Sequence, residues 1–476
     1  MQKRVFVSGN FFALHAGHVR LLRFASELGD ELVVGVSNLQ PSPSFPTPRE
    51  RAMMLVDLGL CDRSLVMEGG LETALRDEKP GLVVKGKEFE GTENPESTIL
   101  SAWGGRLVFG SGEANYSGRD LLGVESRKGD AIDLTLFEEQ CGFYNISKGD
   151  FKTLINRFEK RRVIVIGDTI LDEYVTTAPV GLSREDPTIV VRPEHQQRYI
   201  GGAAIVAAHC AALGAEVSLY SMLGEDEASS YVCEQVKRFN VSFHPIFDQT
   251  RPTTTKRRYR CEGKTLLRVN QFRQHHLASN LQDKLYFESI ADAHQADLVI
   301  FSDFSYGLLP AHLASRLIDH LKTKSCFLAA DSQTSSQLGD LGKFRGVDYV
   351  TPTEHEARVL LNDYTSGIAV IGAKLRDEIG CSFAAVTLGQ DGLLMFGHDR
   401  SAKLDLVDPY PAFNRMAKDT AGAGDSFLVA SSLALSLGFE QLKMAALLGS
   451  FVSAIQVGRI GNLPVNQAEI FERLGV

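Results

Sequence analysis

The stretch Lys418–Gly438, KDTAGAGDSFLVASSLALSLG, sets a glycine-rich turn, Gly422 to Gly424, directly before a run that is apolar and rich in small residues. Successive backbone N–H groups at such a turn form a cradle for an anion, and the helix that follows adds the positive end of its dipole. Asp425 stands at the helix start. A carboxylate there can accept the proton of a hydroxyl that attacks a phosphate held on the turn. The plainer reading, a glycine-rich helix entry with aspartate as its cap, is outweighed when DTAGAGD is taken whole.

Working outward, RRVIVIGD, EVSLYSMLG, DLVIFSD, CFLAADS, VDYVTP and FAAVTLG are strand-like runs, each followed by a helix-length segment. That order predicts a parallel sheet covered by helices. Four shorter alternating runs, EYVTTAPV, TIVVRPE, TTTKRRYR and TLLRVN, predict a small β-lid beside it. The first 120 or so residues carry a second βα series: KRVFVSG, a helix through Leu21, Leu22, Ala25 and Leu28, ELVVGVS, a helix from Arg49, and GLVVKG. The proline-rich NLQPSPSFPTPRER interrupts it and reads as a loop over one end of that sheet. Between the two series the pattern weakens through VESRKGDAIDLTLFEEQ and DFKTLINRFEK. The expected organisation is a domain over 1–125, a linker and connecting helix over 126–160, and a larger domain over 161–476. The fold class is α/β, two doubly wound parallel-sheet domains without an internal repeat.

Composition narrows the partners. The chain has 476 residues, 44% hydrophobic and 23% charged, with a net charge of −9. This is a globular composition without a basic stripe, so no nucleic-acid or membrane surface is expected and small molecules are the expected partners. Seven scattered cysteines without CxxC spacing fit reduced thiols, and no run approaches the length of a membrane span, so the cytoplasm is expected.

The run SGNFFALHAGHVRLL, Ser8 to Leu22, falls where the first strand meets its helix, the place where βα units bind ligands. Gly9 ends the strand, and Gly17 lets a phosphate approach the backbone. His15 and His18, three apart, share one face of the starting helix. Two imidazole donors beside a helix N-terminus suit the charge of a phosphate group.

This domain resembles the HxGH nucleotidylyltransferases, of Rossmann-like fold, and within them the sugar-phosphate adenylyltransferases of bacterial ADP-heptose synthesis. The likeness rests on HAGH at 15–18, GDELVVGVS, RER at 49–51 and LVVKGKEF at 82–89. It implies that His15 and His18 stabilise phosphate charge during nucleotidyl transfer. It also implies that Gly9, Phe11, Gly17 and Lys85 border the nucleotide, with Ser117 and Arg119 of NYSGRDLL as remnants of a later phosphate-closing segment. Phe12 stands where that family places an acidic residue.

The second domain resembles the PfkB/ribokinase sugar kinases, closest to the heptose-phosphate kinase half of the bifunctional ADP-heptose enzymes. The signature DTAGAGD is joined in order by GDTILDEY, GGAAIVAAHC, SDFSYG, TPTEHEA and TLGQDG. The resemblance implies Asp425 as base and Ala421, Gly422, Ala423 and Gly424 as anion hole. Asp172, Gly201 and Gly202 would hold the sugar, Glu356 would place Mg²⁺ through water, and Thr387, Gly389 and Gly392 would border ATP. Departures lie on the sugar side: Ile205 for asparagine in GGAAN, Thr353 for asparagine in TPN, Tyr306 for lysine in SDYxKG, and Ser332-Gln333 for Pro-Lys. Lys256, Arg257, Arg258 and Arg260 of the lid offer compensating charge.

Together the resemblances imply one pathway: ATP-dependent phosphorylation of a heptose 7-phosphate or related sugar at the anomeric hydroxyl, then adenylyl transfer to the sugar 1-phosphate. The domain order is the reverse of the common bifunctional enzyme. A different expectation makes the N-terminal domain a nucleotide-binding or regulatory module without turnover, and a third makes the kinase act on a nucleoside or vitamin. The edge of the lid strands leads to an expected dimer through the lid.

Overall fold

The computed structural model describes residues 4–476 other than 13, 15, 27, 40–45, 87–93, 111–131, 184, 187, 262, 263, 334–338, 400–403 and 415. It divides into two compact units, Met1–Gly129 and Asp130–Val476.

In the first unit the strands are β1 (Arg4–Gly9), β2 (Glu31–Ser37), β3 (Arg63–Met67), β4 (Leu82–Gly86) and β5 (Arg106–Gly110). They form a parallel sheet in the order β3-β2-β1-β4-β5. Side chains alternate across it with period two. Val5, Val7, Val34 and Val36 pack on one face against Leu22, Ala25 and Leu55 from α1 (Ala16–Ser26) and α2 (Pro48–Asp57). Phe6, Val33 and Val83 pack on the other against Leu75 and Leu100 from α3 (Gly70–Glu78) and α4 (Pro95–Ser101). With helices on both faces the central strands are continuously apolar, as parallel strands must be. Strand order reverses beside β1, so its carboxyl end is the switch point where ligands bind in such sheets. Thr47 caps α2 in a reciprocal box with Glu50, a device worth about 1 kcal/mol.

The stretch 126–160, expected to join the domains, contains two helices of the second unit, α5 (Leu134–Phe143) and α6 (Lys148–Asn156). Phe137, Phe151, Leu154 and Ile155 enter its core, the Phe137 ring lying 4.7 Å from that of Phe451. Charged residues on the outer faces of these short helices give the sequence its linker-like look.

The main sheet of this unit is ordered β10-β9-β6-β13-β14-β15-β16-β17-β18 among the described residues. The strands are β6 (Arg162–Gly167), β9 (Glu216–Leu223), β10 (Ser242–Phe247), β13 (Leu298–Asp303), β14 (Phe327–Ser332), β15 (Tyr349–Val350), β16 (Phe383–Thr387), β17 (Leu393–Asp399) and β18 (Leu404–Tyr410). It is parallel from β10 to β16, as expected, whereas β17 and β18 return antiparallel. No helix-length segment separates those last strands, so the signal that marked the others is missing there. The four short alternating runs form the separate lid sheet β12-β11-β7-β8, from β7 (Thr169–Leu182), β8 (Ile189–Gly202), β11 (Thr255–Cys261) and β12 (Lys264–Gln271). Because β7 follows β6 after Asp168 alone, the lid is rooted at the carboxyl end of the main sheet.

Candidate active site

The turn before α13 (Ala423–Leu435) has the shape the sequence requires of it. Gly422 sits at φ 78°, and a Cβ there would come within 2.1 Å of Asn462 Oδ1, so only glycine fits. The Ala421 amide donates to Asp419 Oδ1 at 3.1 Å and the Ala423 amide to Thr420 O at 3.3 Å, bonds that fold the turn itself. Gly424 has open space where a Cβ would stand. These four residues therefore surround the N-terminus of a buried helix, the positive end of its dipole.

Asp425 lies in the first turn of α13 and is 5% exposed. Burial raises its carboxyl to about 7, helped by the charge of Asp172 and opposed by Lys256 and by hydrogen bonds from Asn462 and Gln333. Gln333 Nε2 donates to Asp425 Oδ1 at 3.1 Å. A carboxylate held near neutrality is suited to taking and releasing a proton.

The lid supplies the opposite wall. Asp172 on β7 pairs with Arg258 on β11. A Cβ on Gly201 would fall 2.3 Å from Asp172 Oδ2, and one on Gly202, at φ 59°, 2.2 Å from Asp168 O, so both glycines admit the close approach of β7. Strand alternation then sorts the four lid cations. Lys256 lies over the Phe304 and Tyr306 rings, 5.0 and 5.6 Å from their centroids, and its charge reaches Asp172 and Asp425. Arg258 and Arg260 lie over Tyr174 at 5.1 and 5.6 Å. Arg257 points the other way, to Glu173 at 2.6 Å.

The residues expected on the nucleotide side have structural roles of their own. Glu356 closes a capping box with Thr353 at the start of α11 (Glu354–Leu361), accepting from the Thr353 amide at 2.8 Å. Its charge nevertheless bears on Asp331, whose carboxyl burial pushes up first and Glu356 and Asp425 push up further. Thr387 ends β16, its amide donating to Pro352 O at 2.9 Å. Gly389 and Gly392, at φ 65° and 91°, make the turn into β17; a Cβ on Gly392 would be 2.0 Å from Tyr410 O. Among the departures, Ile205 is wholly buried in the helix after Gly202, and Tyr306 donates its amide to Asp168 Oδ2 at 3.2 Å. Asp331 and Asn462 were not found from sequence. Asp331 directly precedes the Ser332-Gln333 departure without having been singled out, and Asn462 has no local pattern; the fold brings both to Asp425.

In the first unit Gly9 ends β1, and Phe11 follows at φ 48°, 2% exposed, its ring 5.0 Å from that of His18. Gly17 and His18 lie in the first turn of α1. His15, Ser117 and Arg119 lie outside the described residues. Lys85, at the end of β4, pairs with the buried Glu96 at 2.7 Å and donates to Asn94 Oδ1 at 2.8 Å. Arg51 is fully buried, with the backbone carbonyls of Asn10, Ser37, Leu39 and Pro46 as acceptors, and lies 4.6 Å over the Phe12 ring.

A mostly parallel sheet with a buried carboxylate behind a glycine turn and a β-lid beside it has the layout of the sugar-kinase class. Residues 160–467 match the family model described as pfkB family carbohydrate kinase, and the chain belongs to that family. Residues 6–100 match the cytidylyltransferase-like model. Curated relatives include "Bifunctional protein HldE" of Helicobacter hepaticus, 28% identical over 316 residues, covering 65% of this chain and 63% of that protein. The protein of the same name from Pseudomonas syringae pv. syringae is 31% identical, covering 67% and 65%. The alignments thus span a little under two thirds of these relatives' length. Among solved structures, a ribokinase from Thermotoga maritima superposes with TM-score 0.52 at 18% identity, covering 66% of this chain and all of that one. Phosphofructokinase-2 from Escherichia coli, in complex with potassium, superposes with TM-score 0.55 at 15% identity, covering 66% and 98%. These likenesses establish the ribokinase-like fold.

Proposed function

We propose that the protein activates a sugar in two steps, first phosphorylating a heptose 7-phosphate or related sugar at its anomeric hydroxyl and then converting the sugar 1-phosphate to a nucleotide sugar. The observation that carries the reading is Asp425, buried one residue beyond the glycine turn and facing Asp172. In the kinase step Asp425 takes the proton of the acceptor hydroxyl as its oxygen bonds to the γ-phosphorus of ATP. The bond from that phosphorus to the bridging oxygen breaks, and ADP leaves. Ala421, Gly422, Ala423 and Gly424 surround the phosphoryl group in flight, and Asp172 with Gly201 and Gly202 orients the sugar. The inward lid row of Lys256, Arg258 and Arg260 supports an acceptor that already carries an anionic group.

The carboxylates fit a divalent cation held through water. Asp331 and Asp425 are buried beside one another's charge and Glu356 adds a third, a repulsion that a cation relieves. Among the described residues no group of three or more histidine, cysteine or acidic side chains is placed to grip a metal directly. Glu356 would hold Mg²⁺ through water; the ion would screen the phosphate charge of ATP.

In the second step an oxygen of the sugar 1-phosphate attacks the α-phosphorus of a nucleoside triphosphate, ATP by resemblance, and pyrophosphate leaves. His15 and His18 donate to the phosphates, with Gly9, Phe11, Gly17, Lys85, Ser117 and Arg119 around them. A second reading, in which this unit binds nucleotide without transfer, is favoured by Arg51 resting on Phe12 and Lys85 engaged by Glu96. Separate ADP and pyrophosphate assays, with an acceptor screen and all four nucleoside triphosphates, test both. ADP without pyrophosphate, while a nucleotide still binds the first unit, would retain the kinase and reject the transferase.

The reading carries a cytoplasmic location with it; among the described residues no helix is long and apolar enough to cross a membrane. It also carries a dimer through the lid, whose outer face exposes Leu267 and Val269 beside Arg257. Sedimentation of the wild-type chain reads this directly.

A further inference from the structure

Four side chains lead from the C-terminal helix α15 (Gln467–Leu474) to the proposed base, and each fixes the orientation of the next. Glu469 holds Arg459 at 3.1 Å. Arg459 donates twice to Gln456 Oε1, from Nε at 3.2 Å and Nη2 at 3.0 Å. With its oxygen so occupied, the Gln456 amide must turn Nε2 the other way, where it meets Ala421 O at 3.2 Å, Gly461 O at 3.1 Å and Asn462 Oδ1 at 3.4 Å. Asn462 in turn has its oxygen against Gln456 and Gly422, and its side-chain amide, on the Asp425 side of the turn, holds the Asp425 carboxyl down. Gln456 is wholly buried in α14 (Leu442–Val457), and Asn462 is 5% exposed. No sequence motif singled out any of these four residues.

We infer that Gln456 and Asn462 are positioning residues for phosphoryl transfer, an amide relay that aims a donor at Asp425 while the same Gln456 amide pins the carbonyl of Ala421 in the anion turn. The relay couples the two parts that must act together, base and phosphate cradle. It favours the ionised base, because the last donor in the line stabilises a carboxylate and not an acid. The other groups facing Asp425 are Asp172 of β7, Lys256 of β11, Asp331 of β14, and Gln333 just after it. The inference rests on the kinase reading above.

The test compares Gln456→Glu, Asn462→Asp and the control Gln467→Ala by thermal unfolding, ATP KM and the pH profile of kcat. Gln467 lies on the same helix but bonds Leu213 O at 2.7 Å, away from the relay. Gln456→Glu keeps the Arg459 partner and cannot donate to Asn462. Its kcat should fall about tenfold, within the ~10²-fold that misplacing a catalytic group costs, with ATP KM little changed. Asn462→Asp puts a second carboxylate against the base and should move the acidic limb of the profile up by about one pH unit, with partial recovery at alkaline pH. Gln467→Ala should lower the melting temperature and leave the limb in place. Folded Gln456→Glu and Asn462→Asp variants with wild-type kcat and pH limb would overturn the relay. So would a Gln467→Ala limb shifted as far as theirs. Wild type without phosphoryl transfer to any acceptor would overturn the kinase reading itself.

Discussion

The hydroxyl of Tyr174, on lid strand β7, donates to Asp419 Oδ2 at 3.0 Å, and Asp419 Oδ1 accepts from the amide of Ala421 in the anion turn. One carboxylate therefore joins the lid to the glycine turn before α13, and it also receives the Gly461 amide at 3.2 Å. Tyr174→Phe removes a single bond to a charged acceptor, worth about 1.5–3 kcal/mol at most. The variant should lose that much stability or less, and kcat should fall several-fold more than ATP KM rises. Denaturant unfolding and ADP release measure the two effects.

Asp425→Asn keeps size and loses the proposed base. ATP binding should persist by calorimetry while kcat falls at least about 10²-fold, the scale of general-base catalysis. A base at this position must be ionised to act, so on the proposed mechanism kcat should rise with pH through about 7 and level off above it.

The same group makes a stability signature of opposite sense. Its carboxyl is raised in the folded state to about 7, so the folded protein binds a proton that the unfolded chain, with an ordinary aspartate near 4, has released. The resulting stability is present below that ordinary value and lost as pH rises to about 7. Asp425→Asn should flatten this part of the profile of unfolding free energy against pH.

Gly422→Ala tests the turn. A side chain there meets both a left-handed backbone at φ 78° and the Asn462 amide, so the loss should exceed about 1 kcal/mol. Gly424→Ala, with open space around its Cβ, should cost little stability. The kcat of both variants is read in the ADP assay, where each should fall because both residues line the proposed anion hole.

In the first unit, Arg51→Met removes the donors shared among four backbone carbonyls at the carboxyl ends of β1 and β2 and the loop before α2. Leaving such acceptors unmatched costs about 1–3 kcal/mol each where water cannot replace the donor. The full-length variant should unfold this unit at lower temperature and bind nucleoside triphosphate more weakly. Calorimetry and limited proteolysis read both.

The two α/β units, the lid and the glycine turn were legible in the sequence because they depend on periodicity and local backbone need. The strand at RVFVSG is continuously apolar since both of its faces are covered, and Gly422 is glycine since its own φ demands it. Asp425 and Asp172 stood out in the sequence through the runs that carry them. The helices Leu134–Phe143 and Lys148–Asn156 were not assigned to the second unit, because Phe137 of the first packs on Phe413 and Phe451, far along the chain, and Phe151 of the second packs on Phe137. Sequence spacing likewise could not say which of Lys256, Arg257, Arg258 and Arg260 lie over Phe304 and Tyr174 and which turns to Glu173; the pairing of β11 with β7 settled that. The residues determined the glycine turn before a buried helix and the glycine-ended strand before α1. Tertiary structure alone decided that Asp172, Asp331, Gln333 and Asn462 converge on Asp425, because its proton affinity depends on burial and on charges that no local stretch of chain contains.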